Sequence, residues 1–137
     1  MNNFFAQTGS KHWMLVDDNA DVLSLVTALA GNLTDAKMEC FNSPSAALAA
    51  FADAPEKYEL VITDYEMPEM DGVELCRRLR EISPAQKIIL ATGSGFFTAA
   101  SARHAGFSGL LNKPFPLAAL RETLAGAGVE MESPAHA

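Results

Sequence analysis

Leu60-Val61-Ile62-Thr63-Asp64-Tyr65-Glu66-Met67-Pro68-Glu69-Met70-Asp71-Gly72 is the stretch on which the fold turns. Its first four residues are too few for a helix and too continuously apolar for a half-exposed strand, which is the pattern of a parallel strand covered on both faces. An acid, Asp64, closes the run. Further on, Asp71 and Glu74 stand three apart as a capping pair, and Val73, Leu75, Cys76 and Leu79 follow at helical spacing. The stretch therefore reads as one strand, a loop and the start of a helix.

Working outward, the same unit recurs. Short apolar runs cover Trp13–Val16, Lys37–Phe41, Lys87–Ala91 and Gly109–Leu111. Between them lie amphipathic segments expected to be helical: Asp21–Leu33, a segment opened by Ser43 as N-cap and Pro44 in the first turn, Phe97–His104 and Pro116–Ala125. Gly126 and Gly128 are expected to break the last one. Strand and helix thus alternate five times, which implies right-handed crossovers and an α/β sandwich with helices on both faces of a parallel sheet. Residues 1–10 are expected to be a flexible leader, 11–125 the folded domain and 126–137 a disordered tail.

With 137 residues and 14.6 kDa the chain has room for one ordinary domain, and such a domain buries about two-thirds of its unfolded surface. Ten Lys and Arg against seventeen Asp and Glu leave a charge of −7 and a pI near 4.8, which disfavours binding to nucleic acid or anionic membrane. Cys40 and Cys76 form neither a disulfide framework nor a zinc pattern and are expected to be reduced thiols in apolar surroundings. With no signal peptide or spanning segment evident, the expected location is cytoplasmic. No glycine-rich loop ending in GKS or GKT is present, so nucleotide hydrolysis by that route is excluded.

The chemistry-bearing residues fall at strand ends, where doubly wound sheets bind ligands. Asp17 and Asp18 follow the first strand and Asp64 the third. Charges roughly 5 Å apart repel by about 3 kcal/mol per pair at an effective dielectric near 20. A hard divalent cation offsets that, and few carboxylates with room for water and phosphate suit Mg²⁺. Thr92 after the fourth strand and Lys113 after the fifth add a hydroxyl and an ammonium beside a carboxylate, a receptor for a phosphoryl group attached to it.

These residues taken together, with Asp64 through Gly72, Asp17-Asp18, Thr92 and Lys113-Pro114-Phe115 in this order, resemble the receiver domain of two-component response regulators over about residues 11–125. The resemblance implies a flavodoxin-like receiver fold, α/β, with a five-stranded parallel sheet in the order 2-1-3-4-5. It implies Asp64 as phosphoacceptor, Asp18 as a direct Mg²⁺ ligand, Asp17 as a positioner of the metal, and the backbone carbonyl of Glu66 as a further ligand. Lys113 would contact the acceptor and its phosphoryl oxygens, Thr92 would move to the phosphoryl group, and Pro114 would follow a cis peptide. The expected function is a signalling switch phosphorylated by a partner histidine kinase or histidine phosphotransfer protein, with a downstream protein read through the fourth helix, fifth strand and fifth helix. It would act as a monomer or weak homodimer, and would be no enzyme beyond slow autodephosphorylation. The alternatives are a docking module that has lost the chemistry and, further off, a haloacid-dehalogenase-like phosphohydrolase, which expects Asp-x-Asp after the first strand.

One position departs from the family pattern. Leu110 stands where receivers often place Tyr or Phe. The flexible element is then expected in Gly93-Ser94-Gly95-Phe96-Phe97, where two glycines free the loop and two aromatics can be exposed or covered.

Overall fold

The computed structural model describes residues 11–131. Five strands, β1 (His12–Val16), β2 (Lys37–Phe41), β3 (Tyr58–Thr63), β4 (Ile88–Thr92) and β5 (Gly109–Asn112), alternate with five α-helices. The helices are α1 (Ala20–Ala30), α2 (Pro44–Asp53), α3 (Gly72–Ile82), α4 (Ala99–His104) and α5 (Leu117–Gly126), and a short 3₁₀ turn (Pro55–Lys57) precedes β3. All strand pairs are parallel and the sheet order is β2-β1-β3-β4-β5, as expected.

Because successive residues of a strand face opposite sides, the sheet divides the apolar residues between two cores. Trp13, Leu15, Leu60, Ile62, Ile89 and Leu111 meet α1 and α5 through Val26, Ala30, Leu120 and Leu124. Met14, Val16, Val61, Ile88 and Leu90 meet α2, α3 and α4 through Phe51, Leu75, Leu79 and Ala102. The central strands β1, β3 and β4 are buried on both faces, which is why they read as unbroken apolar runs.

β2 is different. It is the sheet edge beside β1, and Lys37 and Cys40 are exposed, so the Cys40 thiol does not lie in the apolar surroundings expected of it. Cys76 does, packed in the second core. The expected caps form in part: Ser43 Oγ accepts from Ala46 N, and Asp71 Oδ1 accepts from Glu74 N at 2.9 Å. The Glu74 carboxylate turns instead to Arg77 and Arg78. α4 begins at Ala99 rather than Phe97, because Thr98 in extended conformation caps it reciprocally with Ser101. α1 stops at Ala30, three residues short of the expected Leu33.

The expected tail from residue 126 also needs correction over its first part. Gly126 closes α5, Gly128 turns with φ 80°, and Val129 then enters the core at 4% exposure with Met131 packed against it. An apolar pair placed just after a glycine stop returns the chain to the sheet. The leader over 1–10 and the remaining tail over 132–137 lie outside the described residues.

Candidate functional site

Sheet order brings the loops after β1, β3, β4 and β5 to one edge, at the point where the chain's winding reverses between β1 and β3. Val16 pairs with Thr63 at the ends of β1 and β3, and Thr92 pairs with Asn112 at the ends of β4 and β5. The residues just beyond are Asp17, Asp64 and Lys113. An open crevice of about 710 Å³ lies over them, lined also by Asp18, Glu66, Thr92 and Ser94. The six candidate site residues, Asp17, Asp18, Asp64, Glu66, Thr92 and Lys113, therefore lie around one cavity.

Asp17, Asp18 and Asp64 each offer a carboxylate oxygen within 4.8 Å of the others. Asp17 is buried and Asp18 exposed, so the cluster runs from the sheet edge outward. At that separation each pair repels by about 3 kcal/mol at an effective dielectric near 20. Lys113 offsets part of it: its Nζ donates to Asp17 Oδ2 at 2.6 Å and lies 3.2 Å from Asp64 Oδ1. Asp17 Oδ1 also accepts the Asn19 N–H at 2.9 Å, and Asn19 in turn caps α1. One lysine thus faces three acids. The three carboxylates offer only hard oxygens, a set that fits Mg²⁺.

Two titrations are displaced. Burial, and then the charge of Asp17, pushes the Asp64 carboxyl above the usual aspartate range, against the pull of Lys113. Burial works to lower Lys113, but the hydrogen bond and charge of Asp17, followed by Asp64, outweigh it and raise the ammonium's pKa. Lys113 stays a cation. The peptide joining it to Pro114 is cis.

Thr92 is buried, with its Oγ1 donating to Ser94 Oγ at 3.2 Å and accepting from Ser94 N at 3.2 Å. Ser94 Oγ accepts from Phe96 N at 3.1 Å. Phe96, 72% exposed, stacks on Tyr65 at 6.2 Å, and Phe97 meets Tyr65 edge-on at 5.0 Å. Tyr65, the residue after Asp64, belongs to this aromatic group, and Leu110 is half-buried against the second core.

Two residues matter here that the sequence reading passed over. A β-carbon on Gly72 would lie 2.3 Å from the Asp64 carbonyl oxygen, so the start of α3 rests directly on the backbone of the acid. Glu69 has φ 76° and bonds to the first turn of α2. The Asp-Gly pair at 71–72 was a legible signal for close backbone approach.

A family model for the response regulator receiver domain matches residues 14–125. The transcriptional regulatory protein GlrR of Escherichia coli is 32% identical over 125 residues, which cover 90% of this chain and 27% of that protein. The chain thus spans about a quarter of that relative's length. Among solved structures, FixJ-N is 32% identical with a TM-score of 0.71, covering 85% of this chain and 92% of that one. The response regulator TrrA of Thermotoga maritima, solved in complex with Mg²⁺-BeF, is 25% identical with a TM-score of 0.73, covering 85% and 98%. No helix among the described residues is long and apolar enough to cross a membrane. Fold, strand-end acids and family match converge on one statement: the chain belongs to the response regulator receiver domain family.

Proposed function

We propose that the chain is a phosphorylation-dependent signalling switch in the cytoplasm, in which Asp64 accepts a phosphoryl group from a phosphohistidine on a partner kinase or phosphotransfer protein. The observation that carries this reading is the Lys113 ammonium held between Asp17 and Asp64 inside a three-acid cluster. Asp17, Asp18, Asp64 and the Glu66 carbonyl would hold Mg²⁺, which when bound neutralises the acids and the charge of an incoming phosphoryl group.

The Asp64 carboxylate attacks phosphorus in line, the phosphorus–nitrogen bond to the imidazole breaks, and an acyl phosphate remains on the side chain. Lys113, already 3.2 Å from Asp64, lies within reach of the arriving oxygens and needs little movement to bind them. Thr92 offers its hydroxyl from the neighbouring strand end. Its present acceptor is Ser94, so turning to the phosphoryl group releases Ser94, which also holds the Phe96 N–H. The loop 93–97 is then free to rearrange around Tyr65 while Leu110 stays packed. A tenfold change in conformer population needs about 1.4 kcal/mol of differential binding, which one charge-assisted hydrogen bond supplies. A downstream protein then reads the α4–β5–α5 face.

Incubation with acetyl phosphate and Mg²⁺ followed by intact-mass measurement tests the proposal. A single phosphoryl adduct is expected, and it should be absent in Asp64→Asn. Sustained phosphate release would point to a phosphohydrolase, and no adduct at all to a docking module without the chemistry.

A further inference from the structure

The loop that carries Glu66 is tied down from outside the crevice. Among the described residues Glu69 alone, apart from glycines, adopts a positive φ, at 76°. A side chain bearing a β-carbon is disfavoured there, so contacts must hold it in place. They are visible: Glu69 Oε1 accepts from Ser43 Oγ at 3.1 Å and from Ser45 N at 3.2 Å. Ser43 Oγ also accepts from Ala46 N, so the carboxylate closes the first turn of α2 together with that helix's own cap. Hydrogen bonds from Ser45, then Ser43, hold the Glu69 carboxyl below the usual glutamate range. Of the four residues between Asp64 and Glu69, three, Glu66, Met67 and Pro68, line the crevice. Met70 N donates to Pro68 O at 2.8 Å, which folds the far side of the loop tightly against this anchor.

We propose that Glu69 is a positioning residue for metal and phosphoryl binding: it reaches from the loop after β3 to the first turn of α2 and thereby fixes the Glu66 carbonyl at the crevice rim. The inference rests on the reading of that crevice given above. Glu69 touches neither metal nor phosphate and acts through the loop. Outer groups hydrogen-bonded directly to a ligand change metal affinity by about 10- to 100-fold when removed, and an anchor acting through the loop should fall at the lower end of that range.

Three variants separate this role from a structural one, read by Mg²⁺ affinity from nuclear magnetic resonance titration with MgCl₂ and by urea unfolding. Glu69→Gln keeps an oxygen that can accept both hydrogen bonds, and its Mg²⁺ affinity should stay within about twofold of wild type. Glu69→Ala and Glu69→Gly both lose the anchor and should bind Mg²⁺ about tenfold more weakly. Glycine accepts the positive φ, so Glu69→Gly should be the more stable of these two without regaining affinity. Affinity that recovers with stability from alanine to glycine would make the role merely structural and overturn the proposal. Equal weakening in the glutamine variant would assign the effect to charge and overturn it too. If wild type forms no phosphoryl adduct and binds no Mg²⁺, the reading of the crevice itself fails. If wild type does both and the variants match it, only the role of Glu69 fails.

Discussion

Replacing Gly72 with alanine would drive a methyl group into the backbone of Asp64. The added carbon would sit 2.3 Å from the Asp64 carbonyl oxygen, 3.1 Å from Tyr65 Cα and 3.2 Å from the Asp64 carbonyl carbon, where ordinary contact is 3.4–4 Å. All three neighbours are backbone atoms and cannot rotate away. Relief requires α3 and the loop to separate by about 1 Å, which also strains the Gly72 N–H bond to Tyr65 O, now 2.8 Å. Overpacking of this kind costs about 1–3 kcal/mol and the hydrogen bond about 1 more, so the expected loss is about 2–4 kcal/mol. Trp13, the single tryptophan and fully buried, reports unfolding by its fluorescence. With a urea dependence near 2 kcal/mol per molar, the midpoint should fall by about 1–2 M. Because the displaced atoms carry Asp64, adduct formation with acetyl phosphate should slow by up to about 100-fold. Gly126→Ala is the control: its β-carbon would meet nothing within 4 Å at the end of α5, and stability should be unchanged or rise by about 0.5 kcal/mol. A Gly72→Ala protein with the wild-type midpoint and wild-type adduct rate would refute this reasoning.

Asp64 supplies a pH test in metal-free buffer. Its folded pKa is raised, so its contribution to stability is full in acid, below about 3.9, and is lost as pH rises through the folded value. Asp64→Asn should therefore raise the melting temperature at pH 7, and the gain should vanish towards pH 4; a gain equal at both pH values would contradict it. Lys113→Met removes the cation between Asp17 and Asp64 and should cost about 1–3 kcal/mol, less in acid where Asp64 takes up its proton, as measured by urea unfolding at the two pH values. Of the two thiols, exposed Cys40 should react with a thiol reagent in the native protein. Cys76, buried and pushed above the usual thiol range by that burial despite Arg80, should react only after unfolding, and fast labelling of both would sink that assignment.

What was legible in the sequence followed from short-range physics. β1, β3 and β4 are buried on both faces over most of their length, so Trp13–Val16, Leu60–Ile62 and Ile88–Ala91 had to be apolar, and no amphipathic alternation confused the reading there. The acids were legible for a related reason: a charged residue directly after such a run can only stand at the strand's mouth. Parallel connections bring all the mouths to one edge, and so the convergence of Asp17, Asp64, Thr92 and Lys113 required no knowledge of distances. β2 misled on Cys40 because an edge strand needs only partial cover, which the letters Lys37–Phe41 do not distinguish from full cover. Val129 misled in the opposite sense, since two apolar residues beyond a glycine break carry too little pattern to separate a return to the core from a loose end.

The residues passed over, Gly72 and Glu69, share a different property: each acts on a partner that is remote along the chain or made of backbone. Gly72 is required by the Asp64 carbonyl pressed against it, a contact without any side-chain signature. Glu69 answers to Ser43 and Ser45, more than twenty residues earlier, through a loop conformation that its own residue type disfavours. Local propensity argues against glutamate at that position, and only the tertiary bond to α2 makes it favourable. The same fact gives the loop its physical meaning. The acids are placed by strands whose register is set by two hydrophobic cores, whereas the loop carrying Glu66 is held by local bonds, by Gly72 seated on the Asp64 backbone and by the Glu69 carboxylate crossing to another helix. The acids' placement should therefore survive most surface substitutions, while the position of the rim carbonyl depends on Glu69 and on the close seat of Gly72.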